Sequence, residues 1–122
     1  MKNLILCILL LGICVLCLPP YKDVYARTKT IPEVVEQYAL QYQVSYQDMI
    51  QVMRCESRLN PKATNKTSKE FSVGIAQINL KAHKNITEEQ ARDVEFASEF
   101  MAREFSNGNQ HIWTCSKITG VI

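Results

Sequence analysis

The chain carries no surplus of either charge. In its 122 residues, 14 Lys and Arg stand against 12 Asp and Glu, a formal charge of +2. The basic residues are spread along the sequence and interleaved with acids, which excludes a stripe for a nucleic-acid backbone. Histidine is scarce. His83 and His111 are far apart and have no acidic or cysteine companions at ligand spacing, so no metal site is read, and no cofactor is expected. There is no internal repeat and no low-complexity tract, which excludes a solenoid. No apolar run is long enough to span a membrane, since Leu4 to Leu18 falls short of the roughly 20 residues a transmembrane helix needs. What is left is one small domain with a modest core, for which a covalent staple would be a help.

The first 26 residues stand apart. Lys2 supplies a positive start, the uncharged run follows, Pro19 and Pro20 break it, and Val24-Tyr25-Ala26 places small residues where a leader peptidase cuts. Residues 1–26 are therefore predicted to be a cleaved export signal, with 27–122 as the mature domain. The protein is expected in the periplasm, in the cell wall or outside the cell. A retained membrane anchor is the alternative. A lipid anchor on Cys14 or Cys17 is disfavoured because Ile13 and Leu16, not small residues, precede them. Of five cysteines, Cys7, Cys14 and Cys17 leave with the signal. Cys55 and Cys115 remain, an even number in an oxidising compartment, and are predicted to pair. Two buried free thiols are the alternative.

The mature part reads as mostly helical. Residues 27–30 are polar and expected to fray. Pro32 suits a first helical turn, and Ile31, Val34, Val35, Tyr38 and Tyr42 follow at helical spacing, predicting a helix to about Gln43. Ser45 with Asp48 three residues on opens a second helix, which should end near Leu59 ahead of Pro61. Residues 62–72 read as a polar surface loop, with Lys62, Lys66 and Lys69 solvated. Val73 to Leu80 is too short to be told helix from strand by period. Thr87 with Gln90 forms a capping box, and Val94, Ala97, Met101 and Phe105 stripe a third long helix that ends at Asn107-Gly108. A short last segment carries His111, Trp113 and Cys115, with Trp113 read as core.

Glu56 breaks the pattern of its helix. Met49, Met53 and Glu56 are spaced i, i+4, i+7, so the carboxylate shares the side that carries methionines. Apolar neighbours strip hydration from a carboxylate and raise its pKa, as a general acid for a glycosidic bond requires. The plainer alternative is a glutamate at a fraying last turn, paired with Arg54 or Arg58.

The stretch CESRLNPKA (55–63) followed by SVGIAQIN (72–79) resembles the soluble lytic transglycosylases of the lysozyme superfamily. Their signature is Glu-Ser, then Asn-Pro and Ala, then Ser-x-Gly-x-x-Gln. Here these are Glu56, Ser57, Asn60, Pro61, Ala63, Ser72, Gly74 and Gln77, and the similarity covers roughly 32–115. The resemblance implies a lysozyme-like helical domain acting on peptidoglycan glycan strands. It implies Glu56 as sole acid/base, closing the MurNAc 6-hydroxyl onto C1 to leave a 1,6-anhydro product. It also implies that Ser72, Gly74, Gln77 and Asn79 line the substrate cleft facing Glu56. Family members serve conjugation, secretion or flagellar machines, and a monomer is expected.

Two features keep rivals open. A hydrolytic lysozyme would show a second catalytic carboxylate; the next acid, Glu70, sits in the Lys-rich loop and is read as solvated, while Asp93 is distant. Relatives also carry a Tyr-Asn-Gly-like element after the tryptophan, whose tyrosine contacts the catalytic region. Here Trp113 is followed by TCSKITGVI, without Tyr or Asn. That departure favours a third reading, a wall-binding or scaffold protein that kept the fold and lost catalysis.

Overall fold

Thr30 starts the first helix. Its main-chain N–H and its hydroxyl both donate to the Glu33 carboxylate, at 2.7 and 2.8 Å. Those hydrogen bonds hold the Glu33 carboxyl below the usual range. Arg27 pairs with the same carboxylate, so the predicted fraying of 27–30 gives way to a fastened helix start. The computed structural model describes residues 27–122; the export signal predicted for 1–26, with Cys7, Cys14 and Cys17, lies outside the described residues.

Helix α1 spans Ile31–Tyr42 with Pro32 in its first turn, buries Val34, Val35 and Ala39, and ends where Gln43 turns left-handed. Helix α2, Tyr46–Ser57, is capped by the Ser45 hydroxyl accepting from Asp48 N–H at 3.2 Å. It buries Met49, Ile50, Val52 and Met53. It stops two residues short of the expected Leu59, because Arg58 and Leu59 both adopt positive φ, 56° and 59°.

The polar stretch read as a loop is a β-hairpin. Strands β1 (Thr64–Lys66) and β2 (Phe71–Val73) pair antiparallel, with Asn65 opposite Ser72. Strand β3 (Ile78–Asn79) then pairs with β2, placing Ser72 opposite Asn79. Strand β2 packs against the later helix Glu88–Arg92, and Ser72 and Val73 are carried into the interior.

The third long helix is in fact two. Thr87 and Gln90 make the predicted capping box for α3, Glu88–Arg92. Asp93 then leaves the helical region, ψ 126°, and its carboxylate accepts from Phe96 N–H at 2.7 Å to cap α4, Val94–Ser106. One residue thus ends the first helix and starts the second. A 3₁₀ turn (Gln110–Ile112) and helix α5 (Thr114–Thr119) close the chain.

Helix α1 packs along α4, and α5 packs on α2. The Cys55–Cys115 disulfide joins α2 to α5 across 60 residues, as predicted. Methionines, valines and isoleucines of α1, α2 and the sheet meet Phe100, Met101, Phe105 and Trp113 in one core. Tyr38 borders that core, and burial together with its hydrogen bond to Glu95 pushes its hydroxyl up to about 12. The described part is mainly helical, and none of its helices is long and apolar enough to cross a membrane.

Candidate active site

The end of α2 is where the fold delivers its acid. Glu56 lies one residue before the helix stops, and the next residue anchors that end. The Ser57 hydroxyl donates to Met53 O at 3.1 Å and to Ile75 O at 2.8 Å, tying the helix to the chain between β2 and β3. The Glu56 side chain therefore leaves a fixed helix end beside the sheet, not a frayed turn. No ion pair to Arg54 or Arg58 forms among the described residues. Instead Glu56 Oε1 accepts the main-chain N–H of Cys115 at 3.1 Å.

Glu56 opens onto a cleft of about 350 Å³. Glu56 shares its lining with Ile112, Trp113 and Thr114 and with Glu70, Ser72, Gln77, Ile78 and Asn79, and Ala82, His83 and Phe100 complete it. Burial pushes the Glu56 carboxyl above the ordinary glutamate range, the Cys115 N–H opposes that rise, and the charge of Glu70 adds to it. The carboxyl so placed can hold a proton, release it toward a bound molecule, and be stabilised as an anion afterwards.

A model of the Transglycosylase SLT domain matches residues 33–115, well over half of the chain. The chain belongs to this family. No curated protein and no solved structure matched it. Its fold is accordingly lysozyme-like, and the SLT domain is a module that acts on peptidoglycan.

Three of the residues expected to bind substrate in this SLT domain share the cleft with Glu56, and one does not. Ser72 is almost fully enclosed and its hydroxyl donates to Glu70 Oε1. Asn79 lines the cleft while its Oδ1 accepts from Lys81 N–H at 3.0 Å. Gln77 lines it with φ 47°, an uncommon conformation for a side-chain-bearing residue, and its Nε2 donates to Gly74 O at 2.9 Å. Gly74 lies behind the wall: with φ 80°, a Cβ there would sit 1.9 Å from Ala91 O of α3. Its lack of a side chain serves backbone-to-backbone packing and not the cleft lining.

Two titratable cleft residues were missed by the sequence reading. Glu70, read as a solvated loop charge, is half-buried in the cleft, because the supposed loop is a hairpin that folds toward α2. His83, read as a surface or capping residue, packs edge-on to Phe100 at the cleft margin. Trp113 is core as expected. It is 4% exposed, donates Nε1–H to Ala76 O at 2.7 Å, and meets Phe100 and Phe105 edge-on. The segment after Trp113, which lacks the family's Tyr, still reaches the acid, through the Cys115 main chain.

Proposed function

We propose that this SLT domain is a lytic transglycosylase with Glu56 as its sole acid/base. It cleaves the β-1,4 bond between MurNAc and GlcNAc. Glu56 gives its proton to the bridging oxygen; the C1–O bond breaks and its electron pair stays with the departing GlcNAc. The MurNAc 6-hydroxyl oxygen then bonds C1 and its proton returns to Glu56, leaving the 1,6-anhydro ring without consuming water. The observation that carries this reading is the Glu56 carboxyl itself, half-buried in a cleft, raised in pKa, and given one N–H donor for its anionic form. Gln77 and Asn79 supply amide groups for the acetamido and hydroxyl groups of the sugars, and enclosed Ser72 shapes the same wall. No cofactor enters this chemistry. The protein works as an exported monomer on the wall, with residues 1–26 as its export signal, and a conjugation, secretion or flagellar assembly is the setting in which such a wall-opener is used.

Glu70 favours a second reading, a hydrolytic lysozyme, because a second carboxylate lines the cleft after all. Mass spectrometry of muropeptides released from sacculi separates the two: the anhydro product is one water lighter than the hydrolysed one. Release of hydrated ends alone would replace the first reading with the second. If wild type and Glu56→Gln release the same material, or neither releases any, the chain is a wall-binding scaffold.

A further inference from the structure

Glu70 is clamped from two sides. Its Oε1 accepts the hydroxyl of enclosed Ser72 on β2, and its Oε2 accepts Nδ2–H of Asn65 on β1 at 3.2 Å. Asn65 and Ser72 are themselves paired across the hairpin, so the clamp is built into the strand register. A carboxylate whose two oxygens are both engaged by side-chain donors is held as an acceptor in one place. That geometry suits a stationary charge.

We propose that Glu70 works beside Glu56 as the second carboxylate of this cleft, a fixed negative charge facing the sugar whose bond Glu56 cleaves. The inference rests on the reading of Glu56 as the acid. It gives Glu70 two tasks. When the C1–O bond breaks, positive charge spreads over C1 and the ring oxygen, and a stationary anion in a partly dry cleft stabilises it. Before that step, the same charge disfavours ionisation of Glu56 and keeps the proton on it. Among the described residues no other acid lines the cleft. Arg54 and Arg58 on the α2 end are exposed, as are His111 and Lys117 on the segment packed over it; His83 is the remaining titratable group of the cleft lining.

The test is a carboxyl ¹³C NMR titration of the protein carrying labelled glutamate, with the Glu56 resonance assigned from Glu56→Gln. In Glu70→Gln the Glu56 midpoint is expected to fall to lower pH, and in Glu70→Asp, which keeps the charge, to stay above that of Glu70→Gln. On purified glycan strands, Glu70→Gln is expected to lose about tenfold or more in kcat with KM little changed, while its products keep the same mass as those of wild type. A Glu56 midpoint identical in wild type and Glu70→Gln overturns the proposal whatever the activity. Wild type without any glycan release defeats the reading of Glu56 as acid instead, and the titration still decides whether the two carboxylates are coupled.

Discussion

Cys115 touches Glu56 through its backbone and Cys55 through its sulfur. The N–H of Cys115 donates to Glu56 Oε1, while the disulfide leads back to the residue that precedes Glu56 on α2. The acid and its donor are therefore closed into one covalent ring, although 59 residues separate them in sequence. Helix α5 is only six residues long and too short to hold itself. The bridge to α2 is what fixes its register.

Replacing both cysteines by serine is expected to remove about 4 kcal/mol of stability, the chain-entropy value for a loop of this size. Urea unfolding measures it. Activity should fall further than the unfolded fraction explains, because folded molecules lose the donor aimed at Glu56. Equal specific activity per folded molecule would contradict this.

Glu56→Gln is expected to lower the rate by about 10²–10⁴-fold, the usual contribution of a general acid. The fold should persist, since a glutamine Oε1 still accepts the Cys115 N–H. Muropeptide release and circular dichroism on the same sample check both parts.

The raised pKa of Glu56 has a sign in stability as well. Its native form binds the proton more tightly than the unfolded chain does, so the stabilisation is complete below the ordinary glutamate range. It is lost as pH rises through the raised native value. Activity, which needs the protonated form, should fall on the same alkaline limb. Glu56→Gln has no such loss, so its melting temperature relative to wild type should climb between acid and neutral pH. Parallel melting curves against pH for the two proteins would refute this.

Gln77 pays a conformational cost to stand in the cleft, φ 47°. Gln77→Gly and Gln77→Ala both delete the amide and should both weaken glycan cleavage. The glycine variant should be the more stable of the two by about 1 kcal/mol, net of its greater unfolded-state freedom. Denaturant midpoints compare them directly.

Gly74→Ala should be far more damaging than its size implies, about 3 kcal/mol or more. The added carbon meets the carbonyl of Ala91, a backbone atom that cannot rotate away. Thermal unfolding is the measurement, and a variant as stable as wild type would disprove the close approach.

Much of this fold is readable from local chemistry. The Thr87–Gln90 box, the Ser45 cap, the methionine side of α2 and the two mature cysteines each declare themselves within a few residues. The hairpin does not, because its first strand, Thr64, Asn65 and Lys66, is polar and exposed throughout, and its second, Phe71–Val73, is only three residues long. The Thr30–Glu33 box is as local as the others, a Thr with Glu three residues on. The split at Asp93 escaped because its apolar stripe continues on both sides. Glu56 was legible through its apolar neighbours on one helix. Glu70 was not, since its burial comes from a hairpin folding onto a distant element, which no window of sequence displays.

The corner at Asp93 reaches beyond its own two helices. A straight rod from Glu88 to Ser106 would run about 1.5 Å per residue in one direction, and Ala91 could not both back onto Gly74 and lead α4 along α1. By bending there, the chain braces the sheet from behind while its longest helix lies flat against the opposite layer. The wall that carries Ser72 and Asn79 thus leans on a brace outside the cleft, and a substitution at that bend would reach the cleft without touching any residue that lines it.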